Sequence, residues 1–298
     1  MSPLSSRLHR AGKLMMGLPA LTALLMLAPV QPAQAVWVAG YTAEVNNRFT
    51  IWNSDLTPNT SASFALAGLD MTGLFWDASG RTYAALSNQT FIGSHDALSP
   101  GSTISYWDGT TIGTATIASI ALLSAPASSP SDAELCLYTL SSSLPGVNPL
   151  PILTGGSTSD YEGMQIAMFG HSGTVVIETL DLVGRITYSP LILSEANGSI
   201  QNGPNADIVG AALEYPGLYE SGDSNSAVLG FWNGQWGILG SAWAVTSDPR
   251  FSLFNFMPSY VDELPNGVNY SVIVVPEPGR ALLLMLGAIG MVCRRRRR

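Results

Sequence analysis

Basic residues are scarce in the body of this 298-residue chain. Between residues 36 and 275 there are four, Arg48, Arg81, Arg185 and Arg250, against 20 acidic residues. A surface so biased repels phosphate backbones, which excludes nucleic acid as a partner class. Cysteine is nearly absent: Cys136 stands in the body and Cys293 in the C-terminal tail. No disulfide within the body can brace the fold, and its stability has to come from packing. Histidine is also rare, with His9, His95 and His171 alone. No Cys/His cluster has zinc spacing and no glycine-rich loop fits a phosphate, so neither a metal nor a cofactor is implied. Helical periodicity is missing too. Its best candidate is "FMPSYVDEL", Phe256 to Leu264, with Pro258 near the start where a helix tolerates it.

The two ends read as addresses. Arg7, His9, Arg10 and Lys13 precede the apolar run Leu14 to Val30, and "AQA" at 33–35 follows with the small residues that a signal peptidase needs. Residues 1–35 are therefore expected to be a signal peptide. At the other end Pro276-Glu277-Pro278 leads into an apolar segment of 13 residues, Ala281 to Cys293, and then five arginines, Arg294 to Arg298. Such a segment is shorter than the roughly 20 residues of a comfortable spanning helix, and the arginines behind it would hold it in the inner membrane. The arrangement resembles the PEP-CTERM sorting signal of Gram-negative bacteria, which implies an exosortase as processing partner. The expected location is export through the inner membrane, then periplasm, cell surface or medium.

The 240 residues from 36 to 275 are short apolar runs rich in β-branched and aromatic side chains: "RFTIW", "STISYW", "TATIASIALL", "LCLYTL", "MQIAMFG", "TVVIETL", "RITY", "AVLGFW", "WGILGSAWAV" and "YSVIVV". Between them lie Asp108-Gly109, the Asn-Gly pairs at 197, 202, 233 and 266, and prolines, all hairpin and loop chemistry. "SAPASSPS", 124–131, reads as a surface loop. The pattern predicts an all-β sandwich or barrel.

Three stretches carry candidate chemistry. A strand, a turn and a second short strand end on His95 in "FIGSHDA"; Asp132 opens an apolar run in "SDAELCLYTL"; Ser224 sits in "ESGDSNSAV" ahead of a strand and an Asn-Gly hairpin. A serine hydroxyl becomes a nucleophile when an imidazole takes its proton and a carboxylate orients that imidazole. The order His, Asp, Ser, with gaps of 37 and 92 residues, supplies such a set. Together these stretches resemble the trypsin-like serine proteases, over about Gly73 to Leu264. The resemblance implies two packed six-stranded β-barrels with the active site between them. It implies Ser224 as nucleophile, His95 as general base and then acid, Asp132 as the residue orienting His95, and the backbone N–H groups of Gly222 and Ser224 as oxyanion hole. The substrate would be a peptide or protein. In that family the position six residues before the nucleophile sets the charge preference of the primary pocket. Here it is Leu218, which implies an apolar pocket base, with Glu214 and Glu220 close in sequence.

Two residues depart from the family pattern. Ser94 stands where alanine usually precedes the histidine, and Asn225 follows the nucleophile where glycine is usual. Asparagine tolerates a positive φ better than most side chains. Both departures favour an alternative in which the protein is a surface or matrix protein that kept the fold and lost activity. His171, in "MFGHSGTVV", lacks the last glycine of a lipase-type GHSxG because Thr174 stands there, and reads as a surface turn residue. Asp160 and Glu162 read as solvated loop carboxylates, and Trp232, Trp236 and Trp243 as core and hairpin packing.

Overall fold

The computed structural model describes residues 37–38, 41–94, 98–123, 135–155, 158–161, 163–179, 182–187, 207–211, 217–219, 222–245 and 252–276. The expected signal peptide, the 124–131 loop, Glu277, Pro278 and the rest of the tail lie outside them. So do His95, Asp132 and the Asn-Gly pairs at 197 and 202. Among the described residues no helix is long and apolar enough to cross a membrane.

The N-terminal segment contains β1 (Trp37–Val38), a single helical turn α1 (Ala43–Asn46), and the hairpin of β2 (Phe49–Ile51) and β3 (Asp55–Pro58). There follow β4 (Leu74–Trp76), β5 (Thr82–Ala85), β6 (Thr90–Ser94), β7 (Thr103–Trp107), β8 (Ile112–Leu122) and β9 (Leu135–Leu140). These six close into an antiparallel barrel in the order β4-β5-β6-β9-β8-β7. Asp108-Gly109 makes the β7–β8 turn, where Gly109 has φ +97°. Side chains alternate across the barrel wall as the two-residue period of a strand requires. Phe75, Tyr83, Phe91, Ile104, Cys136 and Tyr138 fill the interior. Leu74, Ala84, Ile92 and Leu137 face outward into a second cluster.

The remaining strands are β10 (Ile152–Thr154), β11 (Gln165–Phe169), β12 (Val175–Thr179), β13 (Leu182–Thr187), β14 (Asp207–Ala211), β15 (Gly217–Leu218), β16 (Ala227–Trp232), β17 (Gln235–Val245), β18 (Ser252–Phe256) and β19 (Val272–Val274). Seven of them form a path, β12-β11-β16-β17-β18-β14-β13, with β10 parallel to β17 and β19 parallel to β10. The β16–β17 hairpin turns on Asn233-Gly234, both at positive φ, as a two-residue loop between twisted strands demands. The expected C-terminal helix is present as a seven-residue 3-10 helix, Met257–Glu263.

The protein is thus all-β, a closed six-stranded barrel followed by a nine-stranded sheet, and it fits the two-barrel frame of trypsin-like proteins. The cluster outside the barrel is shared: Leu74, Ile92 and Leu137 join Ala167, Phe169, Leu229, Ile238, Met257 and Tyr260 from the second body. Arg48 fastens the N-terminal segment to this junction. It is 1% exposed and donates to the carbonyls of Leu74 (3.2 Å) and Phe75 (3.4 Å) and to Thr82 Oγ1 (2.7 Å). Its guanidinium also lies over the rings of Phe49 and Trp76, at 4.6 and 5.1 Å. Burial pulls its pKa down to about 9, so it stays charged at neutral pH.

Candidate functional site

Ser224 lies on the tight turn that feeds β16. The N–H of Ser226 donates to the carbonyl of Asp223 at 3.0 Å, which makes Ser224 and Asn225 the two central residues. Asn225 has φ +84°. A turn with positive φ at its third position selects glycine or asparagine, and this accounts for the residue after Ser224. Asn225 is 3% exposed and Ser224 is exposed. The asparagine side chain therefore points into the protein while the serine stands at the surface. Gly222 is exposed as well, at φ +105°.

The far side of the site is the end of β6. Gly93 packs so closely that a Cβ there would lie 2.9 Å from the Tyr83 ring and 3.2 Å from the Tyr138 ring. A methyl group has no room, and glycine at 93 is a packing requirement. Tyr138 donates its hydroxyl to the carbonyl of Ser94. Ser94 is buried, and its Oγ donates to the carbonyl of Ala242 on β17 at 3.4 Å. The same carbonyl accepts the N–H of Asn225 at 2.8 Å, and the Ala242 N–H donates to the Ser226 carbonyl at 2.7 Å. One carbonyl on β17 thus holds both the residue before His95 and the residue after Ser224. Both departures from the family pattern, Ser94 and Asn225, take part in this link.

His95 and Asp132 are outside the described residues, but the strands that carry them are in register. Ser94 is paired with Leu135 across β6 and β9. Asp132 precedes Leu135 by three residues and His95 follows Ser94 directly. Leu218 lies in β15, opposite Trp37 of β1.

The turn reading of His171 holds only in part. It does sit in a turn, a 3-10 segment His171–Gly173, but it is tied to the nucleophile loop. The buried Asp223 accepts the backbone N–H of His171 at 2.9 Å, and Nδ1 of the ring lies 2.6 Å from the same Oδ1. A carboxylate this far from water needs such partners, because an uncompensated buried charge costs several kcal/mol. The sequence offered a faint signal for the pair. With only two histidines in the body, each is a candidate partner for an acid beside the nucleophile. The "GHSG" turn drew attention to the wrong motif.

Behind the turn, the buried side chains of Asn225, Ser226, Ser241 and Asn255 each carry a polar atom without a hydrogen-bond partner. Ser241 and Asn255 are direct neighbours across β17 and β18. Unsatisfied groups are uncommon in protein interiors, and when they gather beside a turn with positive φ they mark a place where function outweighs stability. Among the described residues there is no cluster of His, Cys, Asp or Glu able to hold a metal ion. No family model matches the chain, and no curated protein does.

Proposed function

We propose that the chain is a secreted serine endopeptidase in which Ser224 attacks the scissile carbonyl, His95 relays its proton and Asp132 orients His95. The reading is carried by one observation: the carbonyl of Ala242 binds both Ser94, next to His95, and Asn225, next to Ser224. The register of Ser94 with Leu135 adds that the chain leaves β6 toward His95 where it enters β9 from Asp132. The exposure of Ser224 is what a nucleophile requires, and the inward Asn225 side chain leaves the space above it clear of that residue.

In this mechanism Ser224 Oγ bonds to the substrate carbonyl carbon as its proton passes to His95. The charge that develops on the carbonyl oxygen meets the N–H groups of Gly222 and Ser224, each worth about 3 kcal/mol in the transition state. The proton then moves from His95 to the leaving amine, and water repeats the sequence on the acyl-enzyme. Leu218 gives the pocket an apolar base, so cleavage should follow aliphatic or aromatic residues; strong cleavage after Arg or Lys in a peptide library would remove that assignment. The fold ends where the sorting signal begins: Val275 is buried, its N–H donating to Thr154, and Pro276 is exposed. This supports release of an intact folded body after exosortase processing.

A fluorophosphonate probe tests the proposal. The purified protein should become labelled on Ser224, with the adduct located by peptide mass. A folded protein that takes no label would instead be the surface protein of protease fold without activity.

A further inference from the structure

The nucleophile loop is held from beneath by a residue that the mechanism above does not use. We propose that His171 is its positioning residue: by binding the Asp223 carboxylate it fixes the backbone of Gly222 to Asn225 in the shape that presents Ser224 and the two N–H donors. The inference rests on the reading of Ser224 as nucleophile.

Four observations carry it. The ring lies directly under the loop, since a Cβ on Gly222 would be 3.4 Å from Nδ1 and 3.5 Å from Cε1 of His171. Asp223, between Gly222 and Ser224, is fully buried, and its Oδ1 takes both the backbone and the ring of His171. The histidine is itself clamped: Ser172, at φ +60°, donates its N–H to Ser79 at 2.8 Å, and Arg48 donates its N–H to Gly173 at 2.9 Å. Finally, the Ser79 turn between β4 and β5 is braced by Asp77. Its Oδ1 accepts the N–H groups of Ser79 and Arg81, and its Oδ2 accepts Arg81 Nε at 2.6 Å and the Tyr83 hydroxyl at 3.1 Å. A chain of short contacts therefore runs from a barrel hairpin through His171 to the residue before Ser224.

The consequence is preorganisation. With the imidazole in place the Gly222 and Ser224 N–H groups point in fixed directions before substrate arrives, and no reordering is needed as charge develops. Tyr219 is the other titratable side chain whose field reaches Asp223. Hydrogen-bond donation by the His171 ring, rather than its bulk, is the property that matters.

The test compares fluorophosphonate labelling rates in the full-length protein, its His171→Ala variant and its His171→Asn variant. Asparagine can place an N–H donor near the position of Nδ1. Removal of the donor should slow labelling about tenfold to a hundredfold, since a misdirected oxyanion donor acts like a missing one. Asparagine should restore most of the rate. In parallel, the 15N resonance of His171 Nδ1 in the wild type should shift when Ser224 becomes labelled, a readout that does not depend on any variant folding. Wild-type labelling with an unchanged rate in His171→Ala, an equal loss in both folded variants, or an unmoved Nδ1 resonance would overturn the positioning role alone. A wild type that is folded yet unlabelled would overturn the nucleophile reading, and the positioning role with it.

Discussion

The barrel and the second sheet solve the same packing problem differently. The barrel closes on itself and fills its interior with rings: Phe91 stacks on Tyr138 at 4.9 Å and meets Phe75 and Tyr83 edge-on at 5.6 and 5.5 Å. Its buried acid, Asp77, is matched by Arg81. The sheet has a comparable apolar layer but places Asp223, Asn225, Ser226, Ser241 and Asn255 inside it, next to a turn at positive φ. Rigidity is concentrated in one body and polar irregularity in the other. Placing the site where the two meet lets the barrel hold a loop that its own sheet would hold poorly.

The contrast can be broken most severely at the site. Ser224→Ala and His95→Ala should each reduce peptidase activity about 10⁴-fold or more, and the double variant should lose little beyond either, because groups that act as a unit are not additive. Additive losses would show that the two residues do not share a mechanism. Ser224→Ala should leave thermal stability within about 0.5 kcal/mol of wild type, since the residue is exposed.

Phe91→Ala should have the next largest effect, now on stability. The ring is fully buried among three aromatic neighbours, and its removal should cost about 3 to 5 kcal/mol in denaturant unfolding. A loss below about 1 kcal/mol would mean that the barrel interior is not the rigid element of the pair.

Asn225 sharpens the comparison at smaller scale. Asn225→Ala should destabilise by about 1 to 2 kcal/mol, since alanine tolerates φ +84° poorly. Asn225→Gly should be neutral or stabilising in the same titration, because it relieves the backbone and removes a buried oxygen without a partner. Equal losses in both would assign the asparagine side chain a structural bond instead.

The smallest effect concerns the barrel hairpin at Asp108. Backbone N–H bonds from Thr111 and Thr110, then bonds from their hydroxyls, hold its carboxyl well below the usual carboxylate range. A depressed folded pKa gives stability that is complete above about pH 4 and lost as pH falls through the folded value. The difference in melting temperature between wild type and Asp108→Ala should thus be constant from pH 7 to 5 and shrink as pH falls from 4 toward 2. A difference that grows on acidification would contradict the sign.

The runs read as strands did become strands where the chain is described: "LCLYTL" is β9, "MQIAMFG" contains β11 and "AVLGFW" is β16. Their alternation or full burial is local and visible in sequence. Less legible were β4, three residues long and buried on both sides, and β18, whose "SLFNF" places the polar Asn255 inward. Asn225 was legible as a candidate for positive φ; that its side chain turns inward was not.

The sequence by itself determined the all-β class, the hairpin turns at Asp108-Gly109 and Asn233-Gly234 and the serine on a Gly-Asp turn, because each follows from the conformational preferences of a few adjacent residues. Tertiary structure decided which strands close into a barrel, that Ala242 on β17 joins Ser94 to Asn225, and that His171, 52 residues before Asp223, is its partner. Those contacts depend on register and on how two bodies share a core, which a local pattern does not encode. Asp223 fell in the same class, since an acid in a Gly-Asp-Ser turn reads as solvated until the fold buries it and supplies an imidazole.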